Sequence, residues 1–477
     1  MRILLVKPKA RLGTVLGLQG LQILEPLELG YLAAALHPGH DIRVLDLRLF
    51  RFHDRALRRA LQRFCPHVVG FTCYSHEGSA VKSMAAECRR LCPGASVLVG
   101  GHHATVAPED LETEAIDAVV RGEGCAPFRT IIGRLEAGDS LEGIEHVLTP
   151  GNRGAVGPDA RWPQFPDPAE LPHPRRDLWN PRHYHTVWLG ENLPSWHPLF
   201  PQTSMVRTSW GCRMKCSFCI VPLLCSGQHR ARPVTSVVEE IASLASDHVY
   251  FSDDENFIDE DFAAELAAEL ARRGVEKRYF AWVRSTTVNR SPELMRQWRS
   301  AGLDAAFVGF EFPTDAELKQ AAKGGTVAGN ERALDTLRSM GIAVHAAFMV
   351  RPEYTHDDFD RLEQYVAELP PCECSFTVCT PSPGTPDYRE IEARIWVDNP
   401  HDFHDCMHPL TPTSLPLPEF ARRYARLVKA GTANVPMRVH RQPIRPRDIL
   451  KIAVSEHRYR KSFRGLHRDY PRHLWGD

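Results

Sequence analysis

At 477 residues the chain is too long for one average domain and suits two, each large enough to bury a core of its own. Lys and Arg number 58 against 59 Asp and Glu, a net charge of -1, which excludes a globally basic nucleic-acid binder; no nucleic acid is expected as a partner. Cysteines number 13, an odd count for a disulfide framework, and point to a reducing, cytoplasmic setting.

The N-terminus, Met-Arg-Ile-Leu-Leu-Val-Lys, is too short in apolar residues for a signal-peptide core. No apolar run approaches the roughly 18 residues of a membrane span, so contact with a membrane would be peripheral.

The first 140 residues alternate short apolar runs with helical patterns, the rhythm of a parallel sheet covered by helices on both faces. Strands are expected at 3–6, 42–45, 68–71, 96–99 and 118–120, giving a Rossmann-like, doubly wound α/β domain over 1–140. Ligands of such sheets bind at the carboxyl ends of the strands. The loops there are Lys7-Pro8-Lys9, Thr72-Cys73-Tyr74-Ser75, Gly100-Gly101-His102-His103 and Arg121-Gly122-Glu123-Gly124. Their glycines let a ligand approach the backbone closely. The first loop lacks Gly-x-Gly-x-x-Gly, which argues against a dinucleotide.

Residues 141–203 are rich in proline, as in the 162–166 and 171–174 stretches, and predict an extended linker. The aromatic residues between Trp179 and Trp196 are expected to pack against a domain.

A strand pattern over 205–209 leads into Ser-Trp-Gly-Cys-Arg-Met-Lys-Cys-Ser-Phe-Cys, which places thiols at Cys212, Cys216 and Cys219. Three such near neighbours repel as thiolates and persist when a metal centre neutralises them. Three ligands leave a four-iron cube one partner short, and an open coordination position is where chemistry happens. The alternative is a structural zinc knuckle that borrows Cys225 or His229 as its fourth ligand.

The βα rhythm then returns through 386. Helices are expected at 236–244 and 260–273, and strands at 248–252, 280–284, 306–310, 343–349 and 375–379. Polar residues gather where these strands end: Asp253-Asp254-Glu255-Asn256, Arg284-Ser285-Thr286 and Gly309-Phe310-Glu311. Carboxylates there can receive an ammonium, and Arg284 can grip a carboxylate at two points.

The spacing C-x3-C-x2-C, with Phe218 just before the last cysteine, resembles the radical S-adenosylmethionine (SAM) superfamily. The resemblance implies a partial (β/α)6 barrel over 204–386, with Cys212, Cys216 and Cys219 holding a [4Fe-4S] cluster. It further implies SAM binding at Phe218, Asp253, Asp254, Arg284 and Glu311, the Asp-Asp-x-x-Phe pattern running through Phe257. Together with the cysteine motif, the Gly-Gly-x-His and Arg-Gly-Glu-Gly loops resemble the cobalamin-binding domain that precedes the barrel in many such enzymes. That likeness assigns cobalamin contacts to Thr72, Tyr74, Ser75, Gly100, Gly101, His102, Thr105, Arg121, Gly122 and Glu123. The Asp-x-His-x-x-Gly signature of cobalamin proteins with a histidine under the cobalt is absent, Pro8 and Ala10 standing where its Asp and His would be.

Residues 387–477 are expected to form a small mixed region that caps the barrel or meets substrate. Its 431–477 stretch holds 11 Lys and Arg against 4 Asp and Glu, including Arg458-Tyr459-Arg460-Lys461. Such a run could meet phosphates or a membrane surface, or form a solvated helix face. The stretch Cys406-Met407-His408-Pro409-Leu410-Thr411-Pro412-Thr413 resembles hopanoid C-3 methylases.

Together these resemblances imply a cobalamin-dependent radical SAM methyltransferase. By resemblance, a 5′-deoxyadenosyl radical would abstract hydrogen from an unactivated carbon and methylcobalamin would supply the methyl group, with flavodoxin or ferredoxin as electron donor. The substrate is expected to be a small molecule or a polycyclic lipid such as a hopanoid. Two alternatives are a cobalamin-dependent radical SAM cyclisation or rearrangement without methyl transfer and, from another class, a zinc-binding module.

Overall fold

The computed structural model describes residues 1–152, 167–188, 198–433 and 445–476. The proline-rich 162–166 stretch and Trp196 lie outside them. Contacts gather the chain into two units. The first comprises Met1–Arg11, Pro26–His183 and His401–Asp405, the second Leu12–Glu25, Tyr184–Pro400 and Cys406–Asp477.

The first unit is built on six strands: β1 (Arg2–Lys7), β2 (Asp41–Asp46), β3 (Val68–Thr72), β4 (Ser96–Gly100), β5 (Ala118–Val120) and β6 (Val147–Leu148). They lie in the order β2-β1-β3-β4-β5-β6. The five expected strands pair in parallel, while β6 joins β5 antiparallel. The central strands are apolar without alternation because both faces are covered, and every residue of β3 is buried. One face packs Leu4, Val6, Phe71 and Val99 against the helices His53–Phe64 and Gly78–Leu91. The other sets Ile3, Leu5 and Leu98 against Leu27–Ala34 and Cys125–Ala137. This is the doubly wound arrangement that the sequence pattern predicts.

The second unit carries β7 (Thr203–Val206), a two-stranded ribbon of β8 (Ser209–Trp210) and β9 (Arg230–Ala231), then β10 (His248–Phe251), β11 (Arg278–Val283), β12 (Leu303–Glu311), β13 (Ala343–Val350) and β14 (Glu373–Val378). Its main sheet runs β14-β13-β12-β11-β10-β7, parallel throughout, so each strand pairs with the next in chain order as a partial barrel requires. Along β11 the burial alternates: Tyr279, Ala281 and Val283 are buried, while Phe280 and Trp282 are half-buried on the other face. The covering helices start on side-chain caps, Asp259 Oδ1 accepting from Phe262 N at 3.1 Å and Thr355 forming a capping box with Asp358.

Residues 387–477, expected to be mixed, form only helices and short helical turns among the described residues. Leu417–Ala433 lies against β14. Tyr424 Oη donates to the Phe376 carbonyl at 2.8 Å. A β-carbon at Gly431 would stand 2.4 Å from the Cys374 carbonyl, so only glycine permits this approach. In the linker region Trp188 and Tyr184 are buried, and Trp188 Nε1 donates to Asp304 at 3.0 Å, so these aromatic residues are packing groups.

Candidate active site

The cysteine loop leaves β7 at Val206, passes through β8 before the first thiol and returns through β9 after the last, so the ribbon closes its base. Gly211 bridges ribbon and loop at φ +89°, where a β-carbon would lie 2.0 Å from the Gln228 carbonyl. Beyond it, Ser217 N donates to the Ala321 carbonyl at 3.0 Å and Asp387 N to the Ser217 carbonyl at 3.2 Å, pinning the loop between distant segments. Cys216 is buried, and Cys212 and Cys219 are half-buried. Burial raises the Cys212 thiol and pushes Cys219 up to about 12, so without metal these two thiols stay neutral. Phe218 packs against Phe312, Leu318, Ala321 and Met349.

The carboxylates after β10 divide their work. Asp253 is buried, and its Oδ1 accepts from Thr208 N at 2.9 Å, Thr208 Oγ1 at 3.0 Å, Ser209 Oγ at 2.9 Å and the Ser209 amide, while Oδ2 accepts from Asn256 at 2.6 Å. Asp254 accepts from Arg207 at 2.7 Å and from Gly211 N at 2.8 Å. Both therefore hold the approach to the cysteine loop. Glu255 differs: it is buried, its Oε1 accepts from Arg284 N at 3.4 Å, and its Oε2 has no partner among the described residues. Burial pushes its carboxyl up to about 7.

Arg284, at the end of β11, donates from Nη1 to Cys216 Sγ at 3.6 Å and from Nη2 to the Lys323 carbonyl. Glu311, at the end of β12, sits at φ +64° and pairs with Lys323 at 2.5 Å. Gly309 leaves room for that pair, since a β-carbon there would meet Glu311 Oε1 at 2.3 Å and Lys323 Nζ at 2.6 Å.

In the first unit, the loops at the carboxyl ends of the strands are cross-tied. Thr105 Oγ1 donates to the Gly101 carbonyl at 2.9 Å and accepts from Gly122 N at 2.9 Å, joining the Gly-Gly-His loop to the Arg-Gly-Glu-Gly loop. Gly101, at φ +102°, lies so close to β3 that a β-carbon would meet Cys73 N and Thr72 Oγ1 at 3.0 Å. Tyr74 is 49% exposed, with the rings of His76 and His102 each 6.2 Å away and Lys7 Nζ 4.7 Å from its own ring. Burial lowers His102 to about 4, leaving it neutral near pH 7. Ser75 and Arg121 are buried, and Glu123 Oε1 accepts from Cys125 N at 2.8 Å. Lys7 is engaged by Glu28 at 2.7 Å.

A second cluster went unmarked in the sequence. His103 Nε2 bonds Asp110 at 3.0 Å, Asp110 pairs with Lys82 at 2.8 Å, and the His401 ring stands edge-on to His103 at 5.0 Å. Ser79 Oγ donates to Asp402 at 2.9 Å, so this cluster seats the His401–Asp405 segment in the first unit. Only the doubled histidine at 102–103 hinted at it.

The residues present suit the cofactors that the fold implies. Three thiols on one loop, with a guanidinium against Cys216, form a donor set for an iron–sulfur cube, whose irons are held one thiolate each. Among the described residues no three His, Cys, Asp or Glu side chains are grouped as ligands of a single metal ion. The unpartnered Glu255 Oε2 is an acceptor awaiting a cation. At the first rim, an exposed aromatic ring beside glycine backbone and a neutral imidazole suits a large macrocycle edged with amides.

Two family models match the chain in tandem: a B12 binding domain over 13–132 and the radical SAM superfamily over 206–366. The chain is 29% identical over 435 residues to the hopanoid C-3 methylase of Methylococcus capsulatus, covering 90% of this chain and 79% of that protein. It is 26% identical over 395 residues to an uncharacterized methyltransferase of Pyrococcus horikoshii, covering 81% and 82%. Its fold matches the radical SAM methyltransferase TsrM of Kitasatospora setae, solved with cobalamin and a [4Fe-4S] cluster, at TM-score 0.64 and 17% identity over 98% of this chain and 99% of that one. The two domains define a cobalamin-binding radical SAM enzyme, which sets aside the zinc-module alternative. Within that class the two relatives it resembles over most of its length are a methylase and a methyltransferase.

Proposed function

We propose that the chain methylates an unactivated carbon of a polycyclic lipid of the hopanoid type. Cys212, Cys216 and Cys219 are the cluster ligands in this reading, and residues 1–140 provide the cobalamin site, 204–386 the cluster and SAM site and 387–477 a cap. When bound, the cofactors supply one-electron cleavage of SAM and a methyl group for a carbon that is no nucleophile, chemistry beyond any side chain. The protein's own work is placement. Arg284 carries positive charge against Cys216, and Glu255 offers its free oxygen to the ammonium of SAM. Glu311, fixed by Lys323, offers its remaining oxygen to the ribose hydroxyls. Asp253 and Asp254 act through the loop that they hold.

The observation that carries the substrate assignment is the likeness to the hopanoid C-3 methylase across nine-tenths of the chain. It is supported by the half-buried aromatic row Phe280, Trp282 and Phe307, which shares its strand face with Arg284 and Glu311 and suits a flat apolar skeleton. His408, in the hopanoid-methylase-like stretch, is buried and bonded to Asp469 at 3.1 Å, a packing role that leaves recognition to other residues.

Comparing lipid extracts of a deletion strain and its parent tests the substrate: loss of a methylated polycyclic lipid supports it, and an unchanged profile removes it. Anaerobic turnover tests the reaction. S-adenosylhomocysteine and 5′-deoxyadenosine in comparable amounts, with a methylated product, are expected; deoxyadenosine with an unmethylated product would mean cyclisation or rearrangement instead. Reduced flavodoxin or ferredoxin should replace a chemical reductant in that assay.

A further inference from the structure

The helices Leu417–Ala433 and Pro446–Arg464, with the turn that follows, border a half-open hollow of about 650 Å³ with a one-sided lining. Lys429, His457, Arg460, Lys461, Arg464 and Arg468 line it, without a carboxylate among the lining residues. Glu456 approaches Arg460 at 3.6 Å, whereas Lys461, Arg464 and Arg468 have no acidic partner among the described residues. Gathering like charges around a hollow costs electrostatic energy, which an anionic ligand would relieve.

A second observation says which anion. Of the eight exposed large hydrophobic residues in the described chain, Ile449 (43%), Leu450 (67%) and Val454 (40%) stand on the same helix, Pro446–Arg464. At 100° per residue, these three and His457, Arg460, Lys461 and Arg464 fall within an arc of roughly 140°. The opposite side is anchored: Ser455 and Phe463 are buried, and Tyr459 packs edge-on to Phe463 at 4.8 Å. One outward face thus carries large apolar side chains over its first turns and cations over its last. A soluble phosphate ester would use the cations and gain nothing from Leu450. A bilayer uses both, taking apolar side chains among its acyl chains and cations at its phosphates.

We propose that this face docks the enzyme on an anionic membrane surface, with a lipid phosphate in the basic cavity and Ile449, Leu450 and Val454 in the interface. The site is distinct from the cysteine loop and does not depend on the substrate assigned above. The vesicle test needs no turnover, so its failure and the failure of the methylation reading are separately visible.

The test uses the full-length, cluster-reconstituted enzyme sedimented with vesicles of phosphatidylcholine alone or with one-third phosphatidylglycerol. Binding to the anionic vesicles is expected, weakening as salt rises. The pair Lys461→Glu and Arg464→Glu should reduce vesicle affinity at least about tenfold. Leu450→Ser should weaken binding at low salt too. Iron content and circular dichroism matching the parent protein show that each variant folds, and the milder pair Lys461→Gln and Arg464→Gln replaces the reversal if it does not. Equal binding to neutral vesicles, or anionic binding untouched by the variants, overturns the proposal. So does protection of the cavity by inorganic phosphate without vesicle binding, which would make it a soluble phosphate site. Loss of reduction by flavodoxin in the charge-reversal variant, with vesicle binding intact, would make the face a donor-docking surface and overturn it equally.

Discussion

The two sheets end in rims of opposite character. At the carboxyl ends of the first sheet the polar groups serve one another: Thr105 ties two loops, Lys7 is held by Glu28, and Asp110 joins His103 to Lys82. What it presents outward is surface, chiefly the Tyr74 ring. At the rim of the second sheet the tied groups, Asp253 and Asp254, support three cysteines outside any disulfide and the unpartnered oxygen of Glu255. In the proposed reading one rim receives a shape and the other receives charge and metal. The same strand-end location therefore does two kinds of recognition, chosen by whether its polar groups are spent internally.

The sharpest way to break this contrast is at the thiols. Cys212→Ala, Cys216→Ala or Cys219→Ala should abolish both iron retention after anaerobic reconstitution and 5′-deoxyadenosine formation, while leaving cobalamin binding intact. Loss of both cofactors together would mean that the rims are not separate.

Glu255→Gln comes next. Losing a charged hydrogen bond should weaken SAM binding about 10- to 100-fold, measured by calorimetry on the clustered enzyme. The substitution also has a signature in the cofactor-free protein. The folded carboxyl titrates near 7 rather than at its ordinary 4.5, so between those values the unfolded chain binds fewer protons at this site. Its contribution to stability is best below pH 4.5 and falls as pH rises to about 7. Glu255→Gln should flatten that part of the stability–pH curve relative to the parent, whereas parallel curves would show an ordinary carboxylate.

Asp253→Asn should cost about 1.5–3 kcal/mol in denaturant unfolding, because two backbone amides lose a charged acceptor. Its effect on SAM binding should come only through misplacement of the cysteine loop. On the other rim Thr105→Val should cost about 1 kcal/mol and lower cobalamin retention without changing iron content. Smallest is Tyr74→Ala: with half its surface already in solvent, stability should barely move while bound cobalamin, read from its visible absorption, declines.

Much of the architecture was legible because parallel strands buried on both faces write continuous apolar runs. The five expected strands of the first sheet all appear, four extended by a residue or two and the fifth unchanged, and those of the barrel fall within three residues of their expected ends. The two-residue β6 was invisible because it is shorter than any periodicity. The cysteine strand ended early, at Val206, since Ser209 and Trp210 are fixed by pairing with residues 230–231 rather than by local pattern. The thiols were plain from spacing. The division of labour among Asp253, Asp254 and Glu255 was not, because three adjacent acids look alike until burial and partners separate them. The pairing of His103 with His401 spans nearly three hundred residues, and no local signal carries that distance.

That long reach has a consequence for synthesis. The first unit takes in residues 401–405, and the second takes in residues 12–25. Neither is a continuous piece of chain. A ribosome adding about 5–20 residues each second has made the whole first sheet many seconds before Asp402 emerges to meet Ser79. Until then an early segment waits for a unit not yet made, and the first unit lacks the contacts of a strap encoded beyond the last barrel strand. Cutting between the sheets would leave each half without a segment that the other carries.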